Sequence, residues 1–168
     1  EEKGCTVETH LIGPIFRQIA DSLGIPVAEL NKRYACHPEI DKMLDNELKE
    51  YSAKINSSPS KNIVYLIDSR MAWKFVDNSF SVRLTVPSDE AGKRIFADST
   101  RNQTDKYSCL KDAIEQTRSR KQAELAKYER LYGVDLSAPN NYQLVIDTQN
   151  SNPAEIARLI SVCSNLHR

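Results

Sequence analysis

No stretch of this 168-residue sequence approaches the roughly 18 to 20 consecutive apolar residues needed to span a bilayer, so no membrane-spanning helix is expected. An excess of one charge is also lacking. The 23 Lys and Arg balance 23 Asp and Glu, which excludes a generally basic nucleic-acid coat but leaves room for a local cationic site. Five glycines and seven prolines are too few for a collagen-like or low-complexity chain. The cysteines (Cys5, Cys36, Cys109, Cys163) form no C-x-x-C pair, and His10, His37 and His167 have no zinc-like spacing. Four cysteines can make two disulfides only in an oxidising compartment. The opening Glu1-Glu2-Lys3-Gly4 leads into no signal-type apolar core, which predicts a cytoplasmic chain with reduced thiols.

What is present is ordinary for a globular protein: 40% apolar and 27% charged residues. The length fits one domain over residues 1–168 with a real core. Residues 5–9 (C-T-V-E-T) form a strand candidate, and Leu11 to Leu23 shows helical spacing that Gly24 ends. Pro26 opens a second helix. Pro38 opens a third, with Ile40, Met43, Leu44, Leu48 and Tyr51 at its apolar positions. The continuous apolar run Ile63 to Ile67 predicts a strand covered on both faces, the parallel-sheet type. Residues 80–86 and 142–146 are two further strands. Helices are expected after Pro87, from about Ser108 to Tyr132, and from Pro153. Strands alternating with helices predict an α/β fold: a parallel sheet with helices on both faces and right-handed crossovers. Ligands of such sheets sit beyond the carboxyl ends of the strands, here Thr9, Asp68, Pro87 and Asp147.

Asp68-Ser69-Arg70 follows the most apolar strand directly. An Asp there can hold Mg2+ or its waters, and an Arg two residues on can fork onto a phosphate. The same spacing also suits a helix-capping Asp beside a surface Arg. Arg120, Glu124 and Lys127 share one face of the long helix, which reads either as a ligand-facing stripe or as ordinary solvated ion pairs. From Lys93 to Arg130 there are ten Lys or Arg against six Asp or Glu, an asymmetry that suits a small anionic ligand. Arg17 stands soon after the first strand, within reach of a phosphate at the sheet edge or simply on an amphipathic helix. Asp41 and Asp45, at i and i+4, can accept from a base amino group or form an acidic surface stripe. Trp73 and Phe75 read as core.

Five segments, in order, give the chain a resemblance to the cytidylate-kinase-like branch of the nucleoside monophosphate kinases. They are G-P-I-F-R-Q-I-A (13–20), H-P-E-I-D-K-M-L-D (37–45), I-D-S-R-M-A-W (67–73), R-K-Q-A-E-L-A-K-Y-E-R-L-Y-G-V-D (120–135) and N-Y-Q-L-V-I-D-T (141–148). The resemblance implies a three-layer P-loop kinase-like fold, with substrate-binding helices over 24–60 and a lid over 94–120. It implies transfer of the ATP γ-phosphate to CMP, dCMP or a similar acceptor, with ATP and Mg2+ as cofactors and no nucleic-acid polymer or membrane as partner. In that scheme Arg17 and Arg70 clamp the acceptor phosphate, and Asp68 serves Mg2+ or orients the acceptor. Asp41 and Asp45 read the base. Arg120 and Lys127 approach the phosphates, and Glu124 accepts from a ribose or base. Arg94 and Arg101 neutralise transition-state charge.

Two departures qualify the resemblance. The family's opening strand and G-x-x-x-x-G-K-[ST] loop, whose N–H groups cradle the donor phosphates, are absent from this sequence. Either roughly 30 preceding residues, the span of that strand, loop and helix, are missing, or the chain is a nucleotide-binding or regulatory module without phosphoryl transfer. The second departure is His10-Leu11, where the family tends to carry a hydroxyl residue near the acceptor phosphate. That opens the acceptor's identity, a small non-nucleotide included.

Overall fold

The structure, a computed structural model, describes residues 5–25, 30, 38–60, 62–98 and 107–166. Most of the helix expected after Pro26, and residues 99–106 of the expected lid with Arg101 among them, lie outside the described residues. The chain packs as two compact units, Glu1–Ser79 and Phe80–Arg168.

In the first unit, strand β1 (Thr6–Leu11) runs without a loop into helix α1 (Ile12–Ser22). Helix α2 (Pro38–Ser57), strand β2 (Ile63–Asp68) and the short helix α3 (Ala72–Phe75) follow. The apolar stripe of α1 buries Ile12 and Ala20, and Phe16 and Ile19 pack around Ala20 and Leu30. Gly24 stops the helix in the left-handed region (φ +64°), so that the N–H groups of Gly24 and Ile25 bond to the carbonyls of Asp21 and Ala20. β1 and β2 pair in parallel, from Thr6 opposite Ile63 to Leu11 opposite Asp68.

Side chains alternate along the pair, so Glu8, His10, Tyr65 and Ile67 share one face. α2 sits on that face through Tyr51, which stacks on His10 and meets Tyr65 edge-on. On the opposite face Val7, Leu11 and Leu66 remain 46%, 45% and 50% exposed, so the apolar run of β2 is only partly buried.

The second unit has strand β3 (Val82–Thr85), helices α4 (Ser88–Ala97) and α5 (Leu110–Tyr132), strand β4 (Leu144–Asp147) and helix α6 (Pro153–Leu166). A single 3-10 turn at Pro139–Asn141 precedes β4. β3 and β4 are again parallel, from Val82 opposite Leu144 to Thr85 opposite Asp147. α4 and α5 approach so closely that a Cβ on the buried Gly92 would stand 2.7 Å from Ile114 Cα. At the start of α5, Asp112 accepts from Gln116 and from the N–H and hydroxyl of Ser108, and these bonds hold its carboxyl below the usual range. Gly133 ends α5 at φ +64°.

The α/β class and the parallel pairing are as the sequence predicts. The four strands form two two-stranded ladders rather than one continuous four-stranded sheet. Each strand therefore keeps one unpaired edge among the described residues.

Candidate active site

The carboxyl end of the first ladder gathers three of the expected residues. Leu11, the last residue of β1, is the register partner of Asp68, the last residue of β2. Because α1 begins at Ile12, its first turn, with unsatisfied N–H groups and no side-chain cap, lies beside the exposed Asp68. Helical side chains lean toward their own N-terminus. Arg17 accordingly reaches back over this turn, and its Nη2 stands 3.9 Å from where a Cβ on Gly13 would be. Arg17 is exposed and makes no ion pair among the described residues. Arg70 is two residues beyond Asp68 and also exposed, and between them the hydroxyl of Ser69 accepts from the N–H of Met71 (3.1 Å) to shape the turn. A helix N-terminus, two guanidinium-bearing residues and one carboxylate thus belong to a single strand end, a combination suited to a phosphate and its counter-cation.

Asp41 and Asp45 do share a helix face, but it is not the surface stripe that their spacing allowed. They are 4% and 7% exposed, on the same side of α2 as Leu48 (1%) and Ser52 (2%). Further along, the Ser52 hydroxyl accepts from the N–H of Asp77 (3.0 Å), which ties α2 to the segment after α3.

In the second unit Arg120 is exposed on α5 with no ion pair among the described residues, while Glu124 and Lys127 are half-buried. The Lys127 ammonium lies 4.5 Å from the centre of the Tyr128 ring. Arg94 is already engaged. Its Nε donates to Glu90 (3.1 Å), and one Nη donates to the carbonyls of Thr148 (2.9 Å) and Gln149 (3.0 Å). It thereby ties α4 to the segment after β4, where Thr148 also donates from its N–H and its hydroxyl to the Thr85 carbonyl. Beside it opens a cleft of about 600 Å³ with mainly apolar walls, Leu84, Val86, Ile156 and Ile160 among them.

Arg94→Ala is expected to cost about 1.5 to 3 kcal/mol, the range for hydrogen bonds to a charged group, and thermal melts would read it. An unchanged melting temperature with lost activity would give Arg94 a freer, lid-type role instead. Trp73 and Phe75 are half-buried, with Lys49 over Phe75 at 4.9 Å.

Set against known proteins, the model of the cytidylate kinase-like family matches residues 11–150. The chain belongs to the cytidylate kinase-like family. A cytidylate kinase of Sulfurisphaera tokodaii is 32% identical over 155 residues, covering 91% of this chain and 78% of that protein. One from Methanocaldococcus jannaschii is 30% identical over 153 residues, covering 89% and 78% respectively. An S-adenosylmethionine-dependent nucleotide dehydratase of Lacinutrix mariniflava is 32% identical over 150 residues. That match takes in 89% of this chain but only 29% of the dehydratase's length. The family match spans both units and every expected site residue.

Sequence reading missed His10, Glu47 and Tyr51 as a cluster. The available signal was the i,i+4 pair Glu47 and Tyr51, but nothing local ties it to a histidine 37 residues earlier.

Proposed function

We propose that the chain acts as a nucleoside monophosphate kinase that transfers the ATP γ-phosphate to CMP, dCMP or a similar acceptor. The carrying observation is the strand end where the first turn of α1, Arg17, Asp68 and Arg70 belong together. The family match and the similar cytidylate kinases support the reaction class.

In the proposed reaction an oxygen of the acceptor phosphate attacks the γ-phosphorus. The bond to the β,γ-bridging oxygen breaks and ADP leaves. Such a transfer relies on alignment and charge neutralisation. Arg17 and Arg70 hold the acceptor phosphate, and the buried Asp41 and Asp45 accept from the base amino group. Arg120 and Lys127 approach the phosphates from α5, Arg101 brings positive charge from the lid, and Glu124 accepts from a ribose or base. Among the described residues no three potential ligands cluster into a dedicated metal cage. An exposed carboxylate at a strand end still fits Mg2+, which is commonly held by one or two carboxylates plus the nucleotide's phosphates. Asp68 would hold it, and Mg2+ when bound offsets charge on the transferring group.

The test is ADP release by the product of the complete gene, with CMP, dCMP, UMP and AMP offered in turn. Turnover of none of them overturns the proposal. A second reading, a nucleotide-binding module without transfer, is favoured by one observation: a match of similar span forms a minor part of the Lacinutrix dehydratase. CMP binding by calorimetry without ADP release would establish that reading.

Arg120→Ala separates two roles for α5. If the side chain meets phosphate, kcat/KM falls about ten- to over a hundredfold with the melting temperature unmoved. If Arg120 only decorates a solvated helix, rates stay level in the same assays.

A further inference from the structure

The imidazole of His10 sits where β1 meets α2. Its side chain is 17% exposed, and its Nε2 is buried 3.4 Å from Glu47 Oε1 without a well-formed hydrogen bond. The ring lies flat on Tyr51, with centroids 4.0 Å apart and planes 9° from parallel. Tyr51 in turn meets Tyr65 edge-on at 6.3 Å. Nε2 is thus the ring nitrogen that faces the carboxylate.

The direction of α2 gives the cluster its consequence. Tyr51 meets Tyr65 and His10, and Glu47, one turn nearer the helix start, also faces His10. Tyr65 is level with Glu8 in the ladder, two residues short of His10. Moving toward the N-terminus of α2 therefore moves toward the carboxyl end of β1. Asp45 and Asp41 lie about 3 and 9 Å further along that axis, at 1.5 Å per residue. Among the contacts described between β1 and α2, the one from His10 to Glu47 and Tyr51 comes nearest to the two buried carboxylates.

We propose that His10 is a positioning residue. With Glu47 and Tyr51 it fixes the first half of α2 against the sheet, and so sets where Asp41 and Asp45 meet the base of the acceptor. The base-reading role of those carboxylates rests on the function proposed above. The positioning of α2 does not.

The experiment compares wild type, His10→Leu, His10→Gln and Glu47→Leu in the complete gene product. It reads steady-state kinetics with CMP and ATP, thermal melts, and amide hydrogen exchange over residues 38–57. His10→Leu is expected to raise KM for CMP about three- to tenfold, as befits loss of one contact to a carboxylate and one ring contact. Its kcat and its KM for ATP should stay within about twofold, because the side chain touches neither reacting group. Exchange should quicken over 38–47 more than over 48–57. His10→Gln keeps a side-chain N–H donor and should recover part of both effects. Glu47 is 43% exposed, so Glu47→Leu should fold readily and shift KM and exchange in the same direction as His10→Leu.

Unchanged exchange in the variants overturns the positioning role. So does faster exchange with unchanged KM in an active enzyme. If the wild type transfers no phosphoryl group but the variants exchange faster over 38–47, the proposed function falls and the positioning of α2 stands.

Discussion

Arg17→Ala lowers kcat/KM for the nucleoside monophosphate by about ten- to over a hundredfold, the worth of one charge-assisted contact to phosphate. The expectation rests on where α1 begins. With no loop between β1 and α1, the first helical turn stands at the carboxyl end of the strand, level with Asp68. Arg17 is one turn on and leans back over Gly13, its Nη2 3.9 Å from where a Cβ would stand. An anion at this turn meets the helix N–H groups and a guanidinium together.

Stability should barely respond, since Arg17 is exposed and has no ion pair among the described residues to lose. Arg17→Lys should recover only part of the rate, because an ammonium cannot fork onto two phosphate oxygens. Initial rates and melts on the three proteins decide the matter. An Arg17→Ala enzyme with wild-type kcat/KM would remove Arg17 from the acceptor site.

The second large effect is on stability. Gly92 is buried between α4 and α5, and a Cβ there would come within 2.7 Å of both Cα and Cγ1 of Ile114. A side chain can rotate away, but the Cα belongs to the backbone of a 23-residue helix, so α5 itself must shift. Gly92→Ala gains about 0.5 to 1 kcal/mol of helix propensity and loses about 1 to 3 kcal/mol to overpacking, a net destabilisation. Gly92→Val adds branched bulk without that propensity gain, and should lower the melting temperature by roughly 5 to 10 °C at about 2 to 4 °C per kcal/mol. Ala113, fully buried beside Ile114 in the chain, is the neighbouring control: enlarging it should also destabilise the fold. A Gly92→Val protein that melts with the wild type would refute the close approach of α4 and α5.

Much of the element order was legible because it rests on local chemistry. Pro38, Pro87 and Pro153 mark helix starts, Gly24 and Gly133 mark stops, and the apolar run before Asp68 marks a parallel strand. Boundaries were less legible where pairing sets them. β1 extends two residues past the expected Thr9, because Leu11 still finds a partner in Asp68. The exchange of bonds between Ser81 and Gln143, across 62 residues, is equally invisible to any local window.

Site residues divide along the same line. Helical spacing put Asp41 and Asp45 on one face, but which face packs inward depends on the surface α2 meets, and that surface buries them. The family resemblance implied a charge-neutralising role for Arg94, and folding supplies its guanidinium with carbonyls 54 and 55 residues away. His10 was a lone histidine in the sequence and is a stacked, carboxylate-facing one in the fold.

By itself the sequence determined the α/β class and the element order, since backbone preferences and side-chain periodicity act over a few residues and survive in one dimension, and the resemblance of five ordered segments carried the family. Only the tertiary structure decided that the strands pair as two ladders, that Asp68 stands beside the start of α1, that Gly92 has no room for a methyl group, and that His10 meets Glu47. Those facts depend on register and on contacts between residues distant in the chain. A shift of one residue in strand pairing would turn each side chain to the other face without changing a letter of the sequence.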